Sequence, residues 1–150
     1  MEKTCFINSL TFQFEAAARI FYAFARQNFE TDTKNKISLD EYAVLEMIVL
    51  YPHLNNAGIS KALIRDVGAI DKIISKLIKK KYIVDVKQNK SEIKVKYYEL
   101  TRNGERLYLD CAPQNDKMLA VLAKFISEKE LLQFTKTLLK IRNIVLSLNC

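Results

Sequence analysis

Tryptophan is absent from this 150-residue chain, and histidine, proline, glycine and cysteine number only one, two, three and three. Each shortage closes off a class of protein. So little glycine and proline leaves no room for a loop-rich or disordered chain. With 49% of residues apolar, a mostly helical protein with a substantial core is expected. Cys5, Cys111 and Cys150 are too few and too scattered for a disulfide framework, and none sits in a CxxC. With His53 the single histidine, no structural zinc site is expected, and a metal-sensing protein would need ligand clusters that are missing. The same poverty, together with the lack of a phosphate loop, a nucleophile elbow or a metal-ligand pair, argues against an enzyme and against a bound cofactor. No apolar run approaches the roughly 20 residues that span a bilayer, and Met1-Glu2-Lys3 does not begin a signal peptide. A soluble protein of the reducing cytoplasm, with no membrane partner, is expected.

What the chain does have is positive charge, +7 in all, and it is unevenly spread. From Leu54 to Asp110 there are thirteen Lys/Arg against seven Asp/Glu, whereas the remainder has eleven against ten. A basic centre between nearly neutral flanks is the electrostatic footprint of a phosphate-binding surface.

The order of elements gives that centre a shape. Leu10 to Phe29 carries apolar residues at helical spacing over more than one narrow stripe, so this helix needs two partners. The polar stretch ETDTKNK follows, and Ser38-Leu39-Asp40-Glu41 makes a capping box that opens a helix from Leu39 to Leu50, ending before Pro52. Its inward residues are expected to be Tyr42, Leu45, Ile48 and Val49. Asn55 or Asn56 caps a short helix from Ala57 to Ile64, with Ile59, Leu63 and Ile64 inward. Arg65-Asp66-Val67-Gly68 reads as a turn in which Asp66 caps and Gly68 supplies unusual dihedrals. From Ala69 to Lys80, Ile70, Ile73, Ile74, Leu77 and Ile78 recur every three or four residues, leaving Lys72, Ser75, Lys76 and Lys79 on the other side. Tyr82 to Val86 and Ile93 to Leu100, with QNKSE between them, read as an antiparallel hairpin. Thr101 caps a further helix that Pro113 interrupts. The chain resumes near Asp116, runs to about Ile126, and a second capping box at Ser127-Glu128-Lys129-Glu130 opens a final helix to about Ser147.

Helix, turn, helix and hairpin, enclosed by apolar terminal helices, form a mainly α fold with a small β-hairpin wing. The chain resembles the MarR family of transcription regulators over nearly its whole length. The likeness rests on ISLDEYAVLEMI, on IDKIISKLIKKKYI and on YELTRNGERLY, where Leu100-Thr101-Arg102-Asn103-Gly104 matches the family's LTxxG. That resemblance implies one domain, with a winged helix-turn-helix over 37–104 flanked by N- and C-terminal dimerisation helices over 1–36 and 105–150. Two departures stand out. The wing tip reads Asn89-Lys90-Ser91-Glu92, without the family's arginine, and Lys81 stands where the family often has glycine.

The expected function is a sequence-specific regulator binding double-stranded DNA as a homodimer, a repressor on a pseudo-palindromic operator. An α-helix fits the major groove, where Ala69, Lys72, Ser75 and Lys76 could face base edges. Lys61, Arg65, Lys79, Lys87, Lys90, Lys94 and Lys96 are placed for phosphate. Asp71 is expected to pair with a lysine or with a cytosine amine. Phe6, Phe12, Phe14, Leu131, Phe134, Leu138, Ile141 and Val145 are candidates for the pairing surface. The family likeness further implies release by a small aromatic effector near Phe21, Tyr42, Tyr108 and Met118, or by oxidation at Cys5 or Cys150. The rival reading is a winged-helix module that binds protein and leaves its lysines in water.

Overall fold

The computed structural model describes residues 5–34, 36–87 and 96–148, without the side chains of Lys87, Asn115, Asp116 and Met118. Lys90, Lys94, the wing tip and Cys150 lie outside the described residues. The chain forms two compact units, Met1–Pro113 and Gln114–Cys150.

The first unit opens with a 3-10 turn, Phe6–Asn8, and a long helix α1, Leu10–Asp32, capped by Ser9, whose side chain accepts from Phe12 N–H. α2 spans Leu39–Leu50, and its capping box forms as the sequence predicts: Glu41 N–H donates to Ser38 Oγ at 3.1 Å and Ser38 N–H to Glu41 Oε2 at 3.1 Å. α3, Asn56–Leu63, is capped by Asn55, and α4, Val67–Lys79, by Asp66. Strands β1, Ile83–Lys87, and β2, Lys96–Leu100, pair antiparallel, with Ile83 opposite Leu100 and Asp85 opposite Tyr98. α5, Arg102–Cys111, closes the unit. α6, Pro113–Leu122, starts on the last residue of the first unit and continues in the second, which also holds α7, Glu128–Leu148.

One buried cluster holds the first unit together. Tyr42, Val44, Leu45 and Ile48 of α2 pack with Ile59 of α3, with Ile70, Ile74 and Leu77 of α4, with Ile83 and Tyr98 of the hairpin and with Leu107 of α5. Burying each such side chain stabilises the fold by about 1.5–3 kcal/mol. From α1 only Phe29 joins it, tilted against Tyr42 with ring centroids 5.2 Å apart, while Tyr108 stacks on the same tyrosine at 5.6 Å.

Five expectations need correction. Val49 is exposed, and Val44, which the apolar spacing did not single out, is fully buried. Ile64 is 63% exposed because it is not in the helix: its φ of 53° ends α3 in the left-handed region. The unusual dihedral of the helix-turn-helix is therefore at Ile64, and Gly68 lies inside α4 with no positive φ. Ile78 is exposed on α4. Pro113 does not delay the next helix to Asp116 but begins it, since a first-turn residue needs no backbone N–H, and α6 ends at Leu122 rather than near Ile126.

The LTRNG segment explains itself in three contacts. Thr101 Oγ1 accepts from Gly104 N–H at 3.1 Å and donates to the Lys81 carbonyl at 2.7 Å, while Thr101 N–H donates to the Tyr82 carbonyl at 2.9 Å. One threonine thus caps α5 and fastens it to the exit of α4, and Gly104 lets the backbones meet.

Candidate nucleic-acid interface

α4 has two faces of opposite chemistry. Ile70, Ile74 and Leu77 are buried, whereas Ala69, Lys72, Ser75, Lys76 and Lys79 all open to solvent. At 13 residues the helix is about 20 Å long, a length that can lie along a major groove. Lys61, in the last turn of the neighbouring α3, and Lys96, at the start of β2, are also exposed. Lys96 is 4.0 Å from Asp85 on the facing strand. Lys87 ends β1, but its side chain is outside the described residues, as are Lys90 and Lys94.

Two adjacent carboxylates hold α4 at both ends. Asp40 Oδ1 accepts from Arg65 Nη2 at 3.0 Å, immediately before the Asp66 cap, and from the Tyr22 hydroxyl at 2.5 Å. The Arg65 guanidinium lies 5.2 Å from the centre of the Tyr22 ring. Burial, and then the Asp40 carboxylate, push the Tyr22 phenol above its ordinary range, so it stays a donor. At the other end Glu41 Oε2 accepts from Lys80 Nζ at 2.8 Å, and Glu41 Oε1 lies 3.7 Å from Lys76 Nζ. Asp40 and Glu41 also occupy the positive end of α2, where their charge is favoured.

Arg65 is thus held against an acid and a ring while still 46% exposed, and Lys76, though 69% exposed, leans toward a carboxylate. Asp71, for which a lysine or a cytosine amine is the expected partner, accepts from Asn56 Nδ2 at 2.5 Å, joining the start of α3 to the flank of α4. Sequence alone missed Tyr22, Asp40, Glu41 and Asn56. The capping-box glutamate was visible, but its basic partner lies 39 residues on.

Of the effector residues, Tyr42 and Tyr108 come together as a stacked pair inside the core, and Phe21 is exposed on α1. The Met118 side chain is not described. An open groove of about 720 Å³ runs along α1, lined by Ala18, Arg19, Tyr22, Ala23, Arg26 and Arg65 among others. Its arginines already have acids: Arg19 pairs with Glu15 at 2.6 Å, Arg26 with Glu30 at 2.9 Å and Arg65 with Asp40. Cys5 is exposed ahead of the first 3-10 turn, whereas Cys111 is buried and its thiol is pushed up, first by burial and then by Asp110. Among the described residues no helix is long and apolar enough to cross a membrane, and no three His, Cys, Asp or Glu gather as a metal site.

Solved structures share this arrangement over almost their entire lengths. Staphylococcus aureus MepR in complex with DNA superposes with a TM-score of 0.75 at 21% identity, covering 94% of this chain and 99% of that one. An Escherichia coli MarR mutant bound to operator DNA gives 0.78 at 16% identity, covering 92% and 99%. The fold is the MarR-type winged helix. S. aureus MarR in complex with salicylate and kanamycin is similar again, with a TM-score of 0.74 at 21% identity over 94% of this chain and 95% of that one. No family profile and no curated protein sequence matches the chain, so the likeness is carried by the MarR-type fold. Within that fold α4 is the second helix of the helix-turn-helix and β1–β2 the wing.

Proposed function

We propose that the chain is a double-stranded DNA-binding transcription regulator that reads a pseudo-palindromic operator as a homodimer. The observation that carries this reading is α4: a helix locked to the core along one side, with Ala69, Lys72, Ser75, Lys76 and Lys79 open on the other. Two solved neighbours of the same fold are DNA complexes. Lys72, Ser75 and Lys76 are assigned to base edges, with Ala69 for a thymine methyl. Lys61 and Lys79 are assigned to phosphate together with Lys87, Lys90 and Lys94, and Arg65 joins them only on leaving Asp40.

One such helix spans too few base pairs for a useful site, which supports pairing about a two-fold axis with half-sites one helical turn apart. Exposed Phe6, Leu10, Phe14 and Phe21 in the first unit, and Phe134, Ile141, Ile144 and Val145 in the second, are large apolar side chains that a second copy would cover. Repression relieved by a small aromatic ligand is the mode of control we favour, since one structural neighbour is bound to salicylate. Oxidation is the second route, and of the described cysteines only Cys5 is open to it.

The test is selection of bound sites from random duplex DNA by the full chain, followed by affinity measurements at several salt concentrations. A pseudo-palindrome bound with a steep salt dependence is expected. No enriched site, or binding indifferent to salt, would leave the chain as a protein-binding winged helix.

A further inference from the structure

We infer that Glu41, a residue of α2 that is 3% exposed, is a positioning residue for sequence reading, because its carboxylate fixes where α4 sets its C-terminal lysines. The inference rests on the reading of α4 as the recognition helix. It concerns a side chain that the capping box alone would explain only in part.

The two oxygens of Glu41 are divided between tasks. Oε2 accepts from Ser38 N–H at 3.1 Å, completing the cap of α2, and from Lys80 Nζ at 2.8 Å. Lys80 is the C-cap of α4 and reaches the Lys36 carbonyl at 3.4 Å as well, so the end of α4 is fastened to the residues that lead into α2. Oε1 lies 3.7 Å from the ammonium of Lys76, one turn back along α4 and on its solvent side. A capping glutamate needs neither lysine.

Two consequences follow for DNA. A single buried negative charge, shared between two ammonium groups, offsets part of the positive charge at the C-terminal half of α4, which weakens its indiscriminate attraction to phosphate. It also limits the space that the Lys76 ammonium can sample, so that the side chain meets a base edge from one direction. A long lysine otherwise searches many rotamers and finds the nearest phosphate. Glu41 therefore trades general affinity for discrimination.

Glu41→Gln keeps the size and the acceptor of the cap and removes the charge. With the operator selected by the wild-type chain and a scrambled duplex of equal length as probes, the ratio of specific to non-specific affinity should fall by about tenfold, the discrimination of roughly one base pair. The slope of log affinity against log salt should steepen by about 1 as a released lysine takes up phosphate. A role confined to folding would lower both affinities together and leave ratio and slope unchanged, and that result overturns the inference. Lys80→Gln, altered at the 37% exposed end of the pair, is the control: it leaves the cap and the contact between Glu41 and Lys76 in place, so the ratio should not fall. If the wild-type chain selects no site, the DNA reading itself fails. If it selects a site and Glu41→Gln keeps its ratio, only the role of Glu41 fails.

Discussion

The carbonyl oxygen of Tyr82 occupies the space that a side chain at Gly104 would need: a Cβ built there lies 2.0 Å from that oxygen and 2.9 Å from its carbon. Both atoms belong to backbone already committed, since the same carbonyl accepts from Thr101 N–H at 2.9 Å. No rotamer change can relieve the clash. Gly104→Ala should therefore separate α5 from the exit of α4 and destabilise the first unit by about 3 kcal/mol or more, at the upper end of overpacking costs. Chemical denaturation measures this directly, and a loss under about 0.5 kcal/mol, the range of an indifferent surface change, would contradict it. The glycine of the LTRNG motif is thus required by contact rather than by dihedral, its φ being ordinary.

Positive φ falls instead on residues other than glycine, among them Lys81, at 59°, and Ile64, at 53°. Each ends a helix in the same way. Tyr82 N–H donates to the Leu77 carbonyl and Lys81 N–H to that of Ile78, while Arg65 N–H donates to the Ser60 carbonyl and Ile64 N–H to that of Lys61. These are Schellman pairs, which place the left-handed residue by hydrogen bonding, whatever its type. A Cβ there costs roughly 1–2 kcal/mol, and a β-branched one is the least suited. Both side chains are exposed, so replacing them loses little packing. Lys81→Gly and Ile64→Gly should each stabilise the chain by about 0.5–1 kcal/mol after the added freedom of the unfolded glycine is counted. Alanine should gain nothing at Lys81 and less than glycine at Ile64, because it keeps the Cβ. Equal effects of glycine and alanine would show that the dihedral is not the cause.

The same two residues mark the limit of what the sequence discloses. Capping boxes are local, which is why α2 could be bounded at Leu39 and Leu50, and why Ser127 and Glu130 pair at the start of α7 as expected. Apolar spacing is also local and found the buried face of α4. Ile64 misled because an apolar residue at helical spacing reads as core until the hydrogen bonds that end α3 are known. The anchoring of α4 was invisible for a different reason: Arg65 and Lys80 meet acids 25 and 39 residues away, and any of many carboxylates could have served. Adjacent positions 40 and 41 point to opposite ends of one helix only once α2 and α4 are packed.

Thiol chemistry separates the cysteines. In a Cys150→Ser background, Cys5 should react with an aromatic disulfide reagent at the rate of an open thiol, and Cys111 only after unfolding. Burial raises the Cys111 pKa above the ordinary thiol range. The folded state therefore holds that proton more tightly than the unfolded one. Its contribution to stability is complete below the ordinary thiol pKa and declines as pH rises toward the folded value. One equivalent labelled quickly, and a second appearing in step with denaturant unfolding, is the expected pattern. Two equivalents labelled quickly in the native protein would place Cys111 at the surface.

Asp71 offers the most direct test of which way α4 faces. It is exposed on the flank of the helix, with one oxygen held by Asn56 Nδ2, and it puts a negative charge near Lys72 and Ser75. If that surface approaches DNA, the charge opposes every duplex alike, because phosphates are everywhere. Asp71→Asn keeps the shape of the side chain and removes the repulsion. Affinity for a duplex of arbitrary sequence should rise about threefold to tenfold at low salt, the gain shrinking as screening shortens the reach of the charge to roughly 10 Å near 0.1 M. Asp110→Asn, an exposed change at the far end of α5, serves as the control and should give a much smaller gain. Titrations of both variants at two salt concentrations decide the matter. Equal gains would mean that only net charge is being sensed, and that the open face of α4 does not meet the phosphates.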